Sequence, residues 1–178
     1  AEMVIGQIDG NGNVSFTQTL SDSSTVNDYG FRFLGSNSLG LDIDTVNHRL
    51  FVADAGNHRV LVFDLTNNNI LADFNADAVL GQADLVSGGS NRSGNSVFVT
   101  IPPTANTLSF PSDVLYSHAN NTLYVTDLGN NRVLAYNLAD GITPDENAVA
   151  VLGQADFVSG SSNRGAPGNI ITANALRA

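Results

Sequence analysis

Cysteine is absent from this chain of 178 residues, and basic residues number 7 against 17 acidic ones. Without cysteine there is no disulfide and no thiolate chemistry, and the absence says nothing of redox compartment. The formal charge of −10 repels phosphate backbones and anionic lipid alike, which excludes nucleic acid as an expected partner. No apolar stretch approaches the roughly 20 residues of a membrane span, so no membrane insertion is expected. The start, AEMVIGQIDG, lacks a basic region followed by an apolar core. Targeting information was either removed or never present. Charged residues are also scarce, at 13%, while apolar residues make up 42% and glycines number 17. Such a composition carries enough apolar surface for one globular domain with many turns and little exposed helix. The expected class is all-β.

What is present is repetition. Gly40 to Leu65 and Asp113 to Leu138 align without gaps, 73 positions apart, with ten identities: Asn47, Leu50, Val52, Asp54, Gly56, Asn57, Arg59, Val60, Leu61 and Leu65 match Asn120, Leu123, Val125, Asp127, Gly129, Asn130, Arg132, Val133, Leu134 and Leu138. A marker follows each copy, VLGQAD at Val79 to Asp84 and at Val151 to Asp156, and a related VIGQID opens the chain at Val4 to Asp9. Modules of this kind bury their apolar faces against one another.

Within each module short apolar runs alternate with Gly and Asn, the punctuation of strands. The pattern predicts strands at Gly40 to Ile43, Arg49 to Ala53, Arg59 to Asp64 and Ala78 to Gln82, then at Asp113 to Tyr116, Thr122 to Thr126, Arg132 to Asn137 and Ala148 to Gln154. In RLFVA and TLYVT large apolar residues sit side by side, so both faces of those strands are expected to touch protein, as in a propeller blade or a solenoid rung. Thr143, Pro144, Asp145 and Glu146 form a capping-box pattern with Pro at the first helical position, which predicts one helical turn. A long polar connection, Leu85 to Leu108, exceeds the usual loop length. Its text LVSGGSNRSG recurs as FVSGSSNRGA at Phe157 to Ala166, and PTANTL at Pro103 to Leu108 is echoed by ITANAL at Ile171 to Leu176. Recurrence predicts that the connection is ordered.

The run LYVTDLGNNRVLAYN, with its counterpart in the first module, closely resembles the NHL repeat, and the VLGQAD segment resembles the extended form found in many bacterial NHL proteins. The resemblance implies a β-propeller, typically six-bladed with four antiparallel strands per blade; it implies no reaction. It also points to an extracellular or periplasmic setting. Under it, residues 1–37 are the outer strand of a preceding blade and a polar connection, 38–84 the first complete blade, 85–108 the inter-blade connection, 109–156 the second complete blade, and 157–178 the start of the next connection. The chain is then expected to be part of a larger propeller, completed by further blades of the same polypeptide or by self-association. The cuts inside a module, at Val4 and at Leu176, favour continuation of the polypeptide. An isolated pair of blades is expected to leave apolar faces that drive association.

In an antiparallel blade the turn between strands two and three lies on the same side as the connection to the next blade. That loop face carries Asp54, Asn57, Arg59, Asn91 and Arg92 in one module and Asp127, Asn130, Arg132, Asn163 and Arg164 in the next, and it is the expected contact face for a protein, carbohydrate or small polar ligand. The same residue types also suit a structural role: Asp and Arg bracket a turn, Gly supplies positive φ and Asn tolerates it. Recurrence in both modules favours structure, since a catalytic group is needed once. Asp54 and Asp127 are therefore expected to pair with turn backbone or with Arg59 and Arg132, and Asp127→Ala to cost roughly 1–3 kcal/mol. Gln7, Gln82 and Gln154 are expected to satisfy buried backbone at the end of the outer strand.

Signals for catalysis are sparse. His48, His58 and His118 lie in turns, and no His/Asp cluster has metal-ligand spacing. Asp9 to Asn13, DGNGN, resembles part of a calcium loop without its full ligand series or terminal Glu. Calcium is the one cofactor left open. Neither GxSxG, nor a P-loop, nor HExxH occurs. The expected function is a non-catalytic scaffold. The alternative is part of a propeller enzyme of lyase or lactonase type, for which the first strands offer Asp42 and Asp113 but no partner His.

Overall fold

The computed structural model describes residues 4–7, 13, 15, 17, 26–33, 40–94, 101–143, 145–165, 174 and 176. These residues form an all-β structure of two antiparallel four-stranded sheets with almost no helix. Sheet 1 runs in the order β1 (Leu41–Asp44), β2 (Arg49–Asp54), β3 (Arg59–Asp64), β4 (Ala78–Leu80), and sheet 2 repeats it with β5 (Pro111–Ser117), β6 (Thr122–Asp127), β7 (Arg132–Asn137) and β8 (Ala150–Leu152). Equivalent pairs share one register: Asp54 faces Arg59 across β2 and β3, and Asp127 faces Arg132 across β6 and β7. The ten identities between modules are thus positions of one blueprint.

The outer strands are shorter than the apolar runs suggest. Each stops before a glycine at positive φ, Gly81 at 89° and Gly153 at 88°, a conformation that ends a ladder and that only glycine adopts without strain. Strand β5 is longer than expected, entering at Pro111 through a register shift before Asp113. Thr143 and Glu146 do form the capping contact, Thr143 Oγ1 lying 2.8 Å from Glu146 Oε2. No helical turn follows, because Asp145 sits at φ 67°. Pro144 lies outside the described residues.

The sheets stack face to face. Phe51, Ala53, Val60, Val62 and Leu80 of sheet 1 share a core with Val114, Tyr116, Leu123, Val125, Leu134 and Tyr136 of sheet 2, and Phe51 and Tyr116 stack at 5.5 Å between ring centroids. The peptide N–H of Tyr116 donates to Asp42 Oδ2 at 2.6 Å, joining β5 to β1. On its other face sheet 1 packs Val52, Leu61, Phe63 and Val79 under Phe31, with Ile5 at the edge. Side-by-side apolar residues in β2 therefore do have protein on both sides, as the strand pattern predicts.

Two buried side-chain atoms lack a hydrogen-bond partner among the described residues, the Tyr136 hydroxyl and Gln154 Oε1. Burial pushes the Tyr136 phenol far above the usual range. The counterpart in the first module is Phe63. Tyr136→Phe is expected to raise unfolding stability by about 1–2 kcal/mol, since an unsatisfied buried hydroxyl costs that much. A lower urea midpoint for the variant would show that the hydroxyl has a partner.

Candidate functional site

The two DxGNxR turns form matching locks at one end of the sheets. After β6, Leu128–Asn130 make a single 3-10 turn, and Asn131 closes it in the left-handed region at φ 51°; after β2, Ala55–Asn57 and His58, at φ 56°, do the same. Positive φ thus falls on Asn131 and His58, not on the recurring glycine, which corrects the reading of Gly56 and Gly129. Those glycines recur because backbone passes close by. The N–H of Gly129 donates to Ser109 O at 2.8 Å and that of Gly56 to Arg32 O at 2.7 Å. A Cβ on Gly56 would come within 2.5 Å of that same Arg32 oxygen.

Asp127 is fully buried. Its Oδ2 accepts from Arg132 Nε at 2.7 Å and Asn130 Nδ2 at 2.8 Å, while Oδ1 accepts from the Ser109 amide at 2.7 Å. Burial raises the proton affinity of this carboxyl, and Arg132, Asn130 and Ser109 oppose the rise. Arg132 then spends its remaining nitrogens on backbone: Nη1 donates to Phe157 O at 2.6 Å, and Nη2 to Thr104 O at 2.9 Å and Thr107 O at 2.8 Å. The first module repeats every bond. Asp54 accepts from Arg59 Nε, Asn57 Nδ2 and the Arg32 amide, and Arg59 reaches the carbonyls of Leu85, Asn27 and Gly30.

The remaining expected residues divide. Asn91 does not join the turn of its own module. It makes a reciprocal amide pair with Asn130 of the next, at 3.1 and 2.8 Å, so it is a link between modules. Arg92 donates to Gln82 O at 3.0 Å and pairs with Asp145 at 2.6 Å. Asn163 and Arg164 lie in the 3-10 turn Ser162–Gly165; their side chains fall outside the described residues. Gln82 Nε2 donates to His58 O and Gly89 O, and Gln154 Nε2 to Asn131 O and Ser161 O, each at 2.9 Å. The Asp9 to Asn13 segment, apart from Asn13, lies outside the described residues. No cluster of three or more His, Asp or Glu suited to a metal occurs among the described residues.

The large apolar residue exposed at this end in both modules belongs to the connections that the locks hold. Val86 and Val158 are the same position in the two modules, and they are 64% and 59% exposed. They follow directly on Leu85 and Phe157, the residues whose carbonyls Arg59 and Arg132 hold.

A second cluster, missed from the sequence, lies at the opposite end and does not recur. Asp44 Oδ2 accepts from Arg49 Nη2 at 2.7 Å, Arg49 Nε at 3.2 Å and Asn47 Nδ2 at 2.8 Å. Burial would raise its carboxyl, but the bonds from Asn47 and Arg49 hold it well below the usual carboxylate range. The second sheet contributes Tyr116, whose hydroxyl is 3.4 Å from Arg49 Nη2, and His118, whose Nδ1 is 3.6 Å from Asp44 Oδ1. The signal was present as a mismatch: at the repeat offset Asp44, Arg49, Tyr116 and His118 correspond to Ser117, Thr122, Ile43 and Thr45. Comparison with protein-family models and with curated proteins finds no match for this chain.

Proposed function

We propose that the two sheets are consecutive blades of an NHL-type β-propeller, and that the protein is a non-catalytic scaffold binding a protein, glycan or small polar ligand through the connections on its loop face. One observation carries this reading. The recurring Asp, Asn and Arg side chains are consumed in holding connections, and the connections so held present the same exposed valine in both modules. Repeated rigid loops with outward apolar tips suit recognition, because function sits on loops positioned by a scaffold.

The propeller part of the proposal rests on the outer face of sheet 2. Leu80, buried at 1% exposure against sheet 2, has as its counterpart Leu152, exposed at 53%. Leu115, on the same face at the opposite edge strand, is 63% exposed. A face with the positions of one already covered by a module is suited to a further module.

Glycan and peptide arrays probed with the full chain test the binding function. Ligands retained by the chain are expected to be lost by Val86→Glu with Val158→Glu, substitutions at exposed positions that leave both locks intact. Equal binding by the double variant would overturn the assignment to this face.

A further inference from the structure

All three histidines break the repeat, and two of them, His58 and His118, sit on the contact between the sheets. His58 belongs to the turn after β2, where the second module has Asn131. Its Nδ1 accepts the peptide N–H of Phe110 at 3.0 Å, and the Phe110 ring stands edge-on to the imidazole at 4.2 Å. Phe110 is held at φ 50° just before β5, a conformation a bulky residue keeps only when its surroundings enforce it. His118 follows β5 at its other end, with Nδ1 at 3.6 Å from the buried Asp44 and its ring edge-on to Tyr116 at 5.0 Å. One strand is therefore gripped at both ends by an imidazole.

Only the His58 grip requires one protonation state. An imidazole nitrogen that accepts a hydrogen bond must be unprotonated, so the His58 grip exists only in the neutral ring. At the other end Arg49 pairs with the buried Asp44 at 2.7 Å and lies 3.4 Å from the Tyr116 hydroxyl, contacts that need no imidazole proton. We propose that the junction between the sheets is a proton-dependent pivot: acid releases β5 at the His58 end while the Asp44, Arg49 and Tyr116 contacts keep their hold at the other, so the sheets open at the loop face and stay joined at the opposite end.

The surrounding charges agree with this assignment. Arg32, from the segment that covers sheet 1, faces His58 and opposes a second positive charge, and the Asp54–Arg59 pair on the same hairpin is already mutually satisfied. Around His118 stand Asp44 and Arg49 from sheet 1 and Tyr116 on its own strand. Burial first, and Arg32 second, lower the His58 pKa to about 4. A folded value below the unfolded one means that the contribution of His58 is complete above the unfolded value of about 6.5 and declines as pH falls toward about 4.

Because the chain has no cysteine, pairs of introduced cysteines can carry spin labels without background. One pair, Ala83→Cys with Ala155→Cys, spans the loop-face end; the other, Val46→Cys with Ala119→Cys, spans the opposite end. All four positions are exposed. As pH is lowered from neutral to below about 4, the first distance is expected to widen and the second to hold, with the Phe110 amide losing exchange protection. His58→Asn, the residue its counterpart already uses, is expected to abolish the pH dependence of the first distance. Two unchanged distances, two distances that widen together, or a His58→Asn chain that still opens with acid would each overturn the pivot.

Discussion

Asp127→Ala is expected to lower unfolding stability by about 3–5 kcal/mol, the cost of leaving a buried charge without its partner. The carboxylate accepts from Arg132, Asn130 and the Ser109 amide, and both members of the Asp127–Arg132 pair are fully buried at their side chains. The turn chemistry alone suggests the smaller loss of a single hydrogen bond, roughly 1–3 kcal/mol. The larger figure follows because the substitution strands a guanidinium under protein. Urea unfolding measures it: a midpoint near that of the parent, combined with lost ligand binding, would move Asp127 from the framework to the binding surface. Replacing Asp127 and Arg132 together by apolar residues is expected to cost less than Asp127→Ala, since no charge is then left unpaired.

Gly40→Ala is the second substitution with a large expected effect. Its new Cβ would fall against the Cα of Asp113, with Asp113 Oδ1 at 2.7 Å and the Val114 nitrogen at 2.8 Å. The backbone of β5 cannot yield as a side-chain tip would. The sheets would have to separate where β1 meets β5, and a loss of about 3 kcal/mol is expected, the upper part of the range for overpacking. An unchanged urea midpoint would show that this contact is adjustable.

The repeat made the eight strands and the pairing of Asp with Arg legible, because period-2 apolar runs and a charge pair bracketing a turn state local geometry directly. Strand ends were less legible. Whether Gly81 or Gly153 ends a ladder depends on φ, which the residue type permits but does not dictate. The partners of Arg59 and Arg132 in the connections were hidden for another reason: they are carbonyl oxygens, and a carbonyl has no letter in a sequence. Their trace was the recurrence of the connections, LVSGGSNRSG with FVSGSSNRGA, which open on Leu85 and Phe157, and PTANTL with ITANAL. The junction cluster was hidden by the success of the repeat itself, since attention to what recurs passes over Asp44, Arg49 and His118, which do not.

The arginine locks also set the order in which the chain can finish folding as it leaves the ribosome. Arg132 gathers carbonyls from Thr104 and Thr107 behind it and from Phe157 ahead of it. During synthesis the four strands of a sheet emerge before the last acceptor of their own arginine. The guanidinium must therefore wait, solvated, until the following connection has been made. A nascent sheet is for that interval complete in its ladder and incomplete at its end, and domains that fold from the N-terminus onward pass through such a stage once per module. The smallest segment that supplies every carbonyl of its own arginine is accordingly offset from the sheet: it begins in one connection, near Thr104, and ends in the next, just past Phe157. Excised or recombined modules should be cut at those points.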